Sequence, residues 1–306
     1  MSIFDILNSP KPRFKIDKPV RLIELFSGIG SQAMALRDIG ANFEHYRSIE
    51  FDKYAIASYN AIHGTEFPTM DVTEISGDDL GIVDKDKYCY ILTYSFPCTD
   101  ISLAGQMQGF AKGSGTRSSL LWEVERLLNE VKELPQVLLM ENVSAINNKT
   151  NMPHFQKWIE FLESKGYSNY WQNLNSKDYG VAQSRNRCFM VSLLGNFSYE
   201  FPKPIPLTKT MKDYLEPEVD EKYYITSEKA KQLIDKLIIG GKILTNERTN
   251  ERTNERTNER TNERTKPCCD LEVGGQRGVV YQTDGVLPCQ SATQYKDPTK
   301  ILELKN

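Results

Sequence analysis

The sequence has no long apolar run. Nothing in its 306 residues approaches the ~18 consecutive apolar residues that cross a bilayer, so no segment is expected to span a membrane. The opening stretch, MSIFDILNSPKPRFKIDKP, lacks an apolar core leading to a small-residue cleavage site. That argues against a secretory leader and for a cytoplasmic protein. Cysteine is sparse, with six residues and no CxxC spacing. Neither a disulfide framework nor a zinc centre is expected, and the adjacent Cys268 and Cys269 have no second pair to complete a metal site. A basic excess is missing too: 38 Lys and Arg stand against 41 Asp and Glu, for a net charge of -3. This counts mildly against a nucleic-acid partner, although charge can be local.

What is present is enough apolar and aromatic residue, 39% and 10%, for a full core. Strand-like runs alternate with helix-period runs up to about residue 195. RLIELF (21–26), HYRSIE (45–50), a short run near Phe67–Val72, YCYILTYS (88–95), QVLLME (136–141), SNYWQNL and RCFMVSLL read as strands. Between them, SQAMALRDIG reads as a helix closed by Gly40. Asp52 caps a second helix through Ala55, Ile56, Tyr59 and Ile62 to Gly64. Leu120, Leu121, Val124, Leu127, Leu128, Val131 and Leu134 mark one face of a long helix, and Pro153 opens another that Gly166 ends. The alternation predicts an α/β, doubly wound, mostly parallel sheet covered on both faces. The expected divisions are a catalytic domain over 1–200, a linker with a short helical segment over 201–244, a repeat over 245–265 and a partial recognition region over 266–306.

Ligands of such sheets bind at the carboxyl ends of the strands. The first strand ends in FSGIGS, where glycines admit a ligand to the backbone and a helix start offers free N–H groups. The second ends in Glu50, suited to accept two ribose hydroxyls, and Asp71 suits another polar group of a nucleoside. By itself this is ambiguous: Gly28-x-Gly30-x-x-Ala33 with a distant acid also fits a dinucleotide fingerprint, or a tight turn with no ligand. The run TYSFPCTDIS places Cys98 after Pro97 on a loop leaving a strand, where it can be a nucleophile or a buried structural thiol. Glu141 ends an apolar strand, where burial would raise its pKa and a partner is needed. QSRNR brings Gln183, Arg185 and Arg187 into the last strand. A thiol, a carboxyl and two guanidinium groups beside a nucleoside site have no obvious use in hydride transfer.

These stretches resemble the DNA cytosine-5 methyltransferase family, in its prokaryotic or phage form. FSGIG resembles the cofactor motif that includes Phe26, Gly28 and Gly30, and IEFD the acidic strand end after it. SFPC resembles the Pro-Cys nucleophile loop, ENV the glutamate motif, and QSRNR the Gln-x-Arg-x-Arg motif. They stand in the family's order over residues 20 to 195. The resemblance implies S-adenosylmethionine as methyl donor, cytosine in double-stranded DNA as substrate, and a monomer with no metal and a possible restriction endonuclease partner. It implies Cys98 as nucleophile, Glu141 at the base, Arg185 or Arg187 orienting it, and Phe26, Gly28, Gly30, Glu50, Asp71 and Pro97 about the cofactor. GFAKGSGTRSS, with Lys112 and Arg117, is expected to be a mobile loop closing on flipped DNA. Past Leu194 the match fades, and the chain resembles a family member truncated at its C-terminus. A tRNA cytosine-5 methyltransferase, or an inactive remnant that binds cofactor or DNA, shares much of this pattern.

One stretch fits none of that. TNERTNERTNERTNERTNERT, Thr245 to Thr265, is five copies of a four-residue word. It lacks large apolar residues and its charges cancel, so it reads as a solvated tether. Its interest is in the gene. Codons ACG, AAC, GAA and CGA for Thr, Asn, Glu and Arg join into ACGA repeated, a tract open in every forward frame. Phase variation by slippage is the expectation.

Overall fold

The computed structural model describes residues 11–98, 100–101 and 110–218, with single residues and short strands beyond. The chain divides into two units, one of residues 1–174 and 187–202, the other of 175–186 and 203–306. The first unit is built on β1 (Val20–Leu25), β2 (Phe43–Ile49), β3 (Cys89–Tyr94), β4 (Val137–Val143), β5 (Tyr167–Asn175) and β7 (Asn186–Leu194). These form one six-stranded sheet in the order β2-β1-β3-β4-β7-β5. β1 runs parallel to β2 and β3, and β3 parallel to β4, while β7 is antiparallel to β4.

Register decides what meets at the edge. Leu25 pairs with both Ile49 and Tyr94, and Tyr94 pairs with Met140. Phe26, Glu50 and Ser95 therefore leave the sheet abreast, level with Glu141, which stays paired to Phe189 of β7. Because β7 is antiparallel, its first residues come to that same edge, with Arg187 opposite Val143. Between β1 and β3 the strand order reverses direction, which is where doubly wound sheets open a crevice.

Helices cover both faces. α1 (Ser31–Asp38) brings Ala33 and Leu36 to the cluster around Leu22, Ile91 and Leu193. α3 (Leu121–Glu130) and α4 (Met152–Ser164) bury Leu121, Val124, Leu127, Leu128, Phe155, Trp158 and Leu162 against the opposite face. α2 (Lys53–His63) is capped as its sequence requires. The Asp52 side chain accepts from the N–H groups of Tyr54 and Ala55, and Gly64 closes it in the left-handed region.

Three local expectations change. Phe67–Val72 forms no strand: Asn60 holds it as a loop, accepting from Phe67 N–H and donating to its carbonyl. Ile62 is exposed, so α2 buries only Ile56 and Tyr59. α3 ends at Glu130, because Val131 turns to an extended conformation, although Val131 and Leu134 still pack on the core.

In the second unit, β6 (Gln183–Ser184) pairs in parallel with β10 (Leu287–Pro288). β8 (Pro267–Asp270), β9 (Val279–Tyr281) and β11 (Lys300–Ile301) form a small sheet in the order β11-β9-β8. Of the short helical segment expected within 201–244, a 3-10 turn at Met211–Tyr214 is described, and most of 221–240 lies outside the described residues. The repeat at 245–265 lies wholly outside them. Among the described residues no helix is long and apolar enough to cross a membrane, and no group of three His, Cys, Asp or Glu side chains is placed to hold a metal.

Candidate active site

The turn after β1 is possible only because its backbone enters the left-handed region at Phe26 (φ 57°), Gly28 and Gly30. Its front is held by Glu50. One carboxylate oxygen accepts from Gly28 N–H at 2.9 Å and the other from Asp52 N–H at 2.9 Å. The Glu50 carbonyl accepts from Met70 N–H, tying the following loop to the same point. Each carboxylate oxygen still has a free acceptor direction.

A cavity of about 510 Å³ opens beside Glu50, in the size range of small-molecule sites. Phe26, Glu50, Asp71, Pro97 and Arg117, all singled out from sequence, line it. Gly28 and Gly30 shape the turn but are not in its wall. Phe51, Thr73 and Ser95 do line it, and sequence reasoning missed them. Phe51 carried a signal, since it is an aromatic directly after the acidic strand end. The residue is 69% exposed, so its ring is accessible from the cavity. The wall thus offers two carboxylate acceptors, a guanidinium and an aromatic face, a set that fits a nucleoside.

The β3 end carries Phe96, Pro97 and Cys98. The loop is pinned by Asn142, a buried side chain missed in the sequence, whose Nδ2–H donates to the Phe96 carbonyl at 3.0 Å. Its signal was an amide inside the apolar run of β4. Cys98 is partly exposed. Cys89 and Cys188 are buried, and burial pushes their thiols up to about 11 and about 12. Position at a strand end, rather than residue type, separates Cys98 from these two.

Glu141 and Arg187 come together. Arg187 Nε lies 3.1 Å from Glu141 Oε1, with both side chains mostly shielded. The paired strands β4 and β7 make this contact, and a charge-assisted bond there fixes the carboxylate's orientation. Arg185 belongs to the other unit, where its backbone N–H donates to Ser176 Oγ and its carbonyl accepts from Ser176 N–H. Gln183 sits in β6, also in that unit.

The loop expected to move is anchored in its described part. Phe110 is fully buried and its carbonyl accepts from Trp122 Nε1–H. Ser118 is buried and exchanges hydrogen bonds with Asp100. Lys112 pairs with Glu125 at 2.8 Å and lies over the Trp122 ring. Arg117 faces the cavity. Residues 102–109 lie outside the described residues.

Residues 20–292 match the family model described as C-5 cytosine-specific DNA methylase. The match runs well past Leu194, where the motif pattern had faded. The Type II methyltransferase M2.ScrFI of Lactococcus lactis subsp. cremoris is 45% identical over 273 residues, covering 72% of this chain and 73% of its own length. The orphan methyltransferase M.SssI of Spiroplasma monobiae is 34% identical over 259 residues, 67% of each chain. Among solved structures, the Dnmt2 methyltransferase of S. pombe shares the fold with a TM-score of 0.61 at 19% identity, over 94% of this chain and 76% of that one.

Proposed function

The chain belongs to the C-5 cytosine-specific DNA methylase family, and is a DNA cytosine-5-methyltransferase on that ground; from this premise we propose how its residues divide the work. The 510 Å³ cavity takes S-adenosylmethionine. Glu50 accepts from the ribose hydroxyls, Phe51 covers a face of the adenine, and Asp71 accepts from a polar group of the same nucleoside. Bound there, the cofactor supplies an electrophilic methyl group. The single observation that carries this reading is the common edge: Glu50, Cys98 and the Glu141–Arg187 pair all follow or flank strand ends that the register brings level.

C5 of cytosine is a weak nucleophile. Cys98 corrects this by adding its thiolate sulfur to C6, which pushes an electron pair toward C5. C5 then takes the methyl group, the C5 proton leaves to a base, and the C6–sulfur bond breaks to restore the ring. Glu141, held by Arg187, hydrogen-bonds the edge of the ring at N3 and draws charge from C6. A base must leave the duplex stack to reach these groups. The substrate is cytosine in double-stranded DNA, and the setting is restriction-modification or phage DNA protection, as the Type II names of relatives suggest.

Methyl transfer from labelled S-adenosylmethionine to unmethylated duplex DNA and to tRNA, run side by side, tests the reading. Label in DNA is expected. Label confined to tRNA would replace the substrate, and a protein that fails to bind the cofactor at all would remove the assignment of the cavity.

A further inference from the structure

Behind the Ser27–Gly30 turn, away from the cavity, lies a cluster that the proposed chemistry does not use. Glu24 is within β1, one residue before its end, and fully buried. It accepts from Tyr59 Oη–H at 2.6 Å and from Ala33 N–H at 3.3 Å. Ala33 is in the first turn of α1, whose N-terminus has no side-chain cap of its own, so Glu24 supplies the acceptor from inside the sheet. Tyr59 is buried too, and its hydroxyl meets His45 Nδ1 at 3.0 Å. The Tyr59 ring packs on His63 at 4.5 Å, and His63 Nε2 reaches the Ile29 carbonyl in the turn itself at 3.1 Å. The fit is close enough to forbid a side chain. A Cβ at Gly30 would stand 2.4 Å from His63 Nε2 and 2.6 Å from the Tyr59 ring.

We propose that Tyr59, oriented by Glu24, is a positioning residue for the cofactor: it holds the Ser27–Gly30 turn from behind while Glu50 holds it from the front. The inference rests on the cavity being the S-adenosylmethionine site. Tyr59 is not in the cavity wall, and its effect passes through Gly30 and His63 to the backbone that Glu50 grips. Loss of the hydroxyl leaves the ring and its packing in place but frees Glu24 from its strongest partner. The turn and the start of α1 then lose their common anchor.

The test compares Tyr59→Phe with the wild type in methyl transfer and in calorimetric titration with S-adenosylmethionine. The expected result is a cofactor KM and Kd raised roughly three- to tenfold, the effect of one well-placed hydrogen bond. The KM for DNA and the kcat at saturating cofactor stay unchanged. Glu24→Gln, which keeps the shape and one acceptor for Tyr59, restores most of the affinity that Glu24→Ala loses. An unchanged cofactor Kd in Tyr59→Phe, or equal losses in the KM values of DNA and cofactor, overturns the positioning role. Failure of the wild type itself to bind S-adenosylmethionine would instead remove the proposed function.

A separate observation carries a second proposal. A tandem tetranucleotide fixes all four codons of a four-residue word together, so very few such words can arise from one, and Thr-Asn-Glu-Arg is among them. The repeat falls at Thr245–Thr265, inside the family match of residues 20–292, which resumes after it. The sequence on both sides is therefore read in one frame. Every residue lining the cavity, together with Cys98, Glu141 and Arg187, precedes the repeat, whereas β8 to β11 follow it. β10 is the strand that pairs with β6, which holds Gln183.

We infer that the repeat is a frame switch. A gain or loss of one ACGA unit keeps the whole cavity and the nucleophile but replaces everything after the repeat, stripping β6 of its partner. Three units together add or remove one TNER word and restore the frame. Sequencing the tract from many single colonies, with bisulfite reading of genomic DNA from in-frame and shifted clones, tests this. A pure ACGA tract that varies by four nucleotides, with methylation only in frame, is expected. A tract broken by synonymous codons, an invariant length, or methylation independent of frame overturns the switch. Cofactor binding by purified in-frame protein decides the methyltransferase reading separately.

Discussion

The carboxyl edge of the sheet and the interior just beneath it use the same residue types for different ends. At the edge, Glu50 and Cys98 stand where strands finish. In the interior, Glu24 lies within β1, paired on both sides, and Cys188 lies in β7. Glu50 meets backbone N–H groups and still opens on a cavity, whereas Glu24 is sealed off with Tyr59 and Ala33. Burial pushes Glu24 up to about 7, against the hydrogen bonds from Tyr59 and Ala33 that favour its charged form. Cys188 is held protonated by burial, while Cys98 is reachable. The lesson is that a residue just past a strand end can open its valences on a cavity, whereas one still paired within the sheet has them closed by its neighbours.

The sharpest way to break this contrast is at the thiols. Cys98→Ala should abolish methyl transfer, with cofactor Kd and thermal midpoint close to wild type, because the side chain is partly exposed and the substitution is small. A 5-fluorocytosine target should trap a covalent adduct with the wild type, since fluorine cannot leave as a proton does. Substantial turnover by Cys98→Ala, or an active enzyme that forms no adduct, would remove Cys98 as nucleophile.

The interior carboxyl gives the next effect. In the folded protein Glu24 keeps its proton to about pH 7, rather than to its ordinary 4.5. Between these values unfolding releases that proton, so stability contributed by the protonated form is present below the ordinary value and is lost as pH rises through the folded one. The loss is about 3 kcal/mol. Glu24→Gln cannot titrate, so its stability should fall by that much less between pH 4.5 and pH 7. Denaturant melts at several pH values check this, and parallel curves for the two proteins would show that Glu24 does not titrate there.

The smallest effect is expected at the edge carboxyl. Glu50→Ala removes acceptors for a ligand and should weaken S-adenosylmethionine binding by roughly 1.5–3 kcal/mol, tenfold or more. Titration calorimetry reads this directly, and unchanged affinity would refute the assignment of Glu50.

Much of the frame was legible because it rests on local chemistry. Asp52 and Gly64 bracket α2 as a cap and a left-handed stop must, and the apolar runs of β1, β3 and β4 have the length of buried strands. The Phe67–Val72 run misled because its hydrogen bonds go to Asn60, a partner that no local pattern shows. Lys112 was expected on a mobile loop closing on DNA, and its ion pair with Glu125, thirteen residues on, is a partner that the loop's own composition does not show.

By itself the sequence determined which residue types stand at each strand end, and hence the family, because motif spacing is a property of the chain alone. Only the tertiary structure decided their company. Antiparallel β7 turned Arg187 onto Glu141, register set Glu50 level with the Pro97–Cys98 loop, and Asn142 pinned that loop from the neighbouring strand. It also made Glu24 a buried strut and Glu50 an open acceptor, although both are glutamates carried by neighbouring strands or their ends. The physical reason is that burial, pairing and desolvation depend on what packs across space, and neither composition nor periodicity carries that distance information.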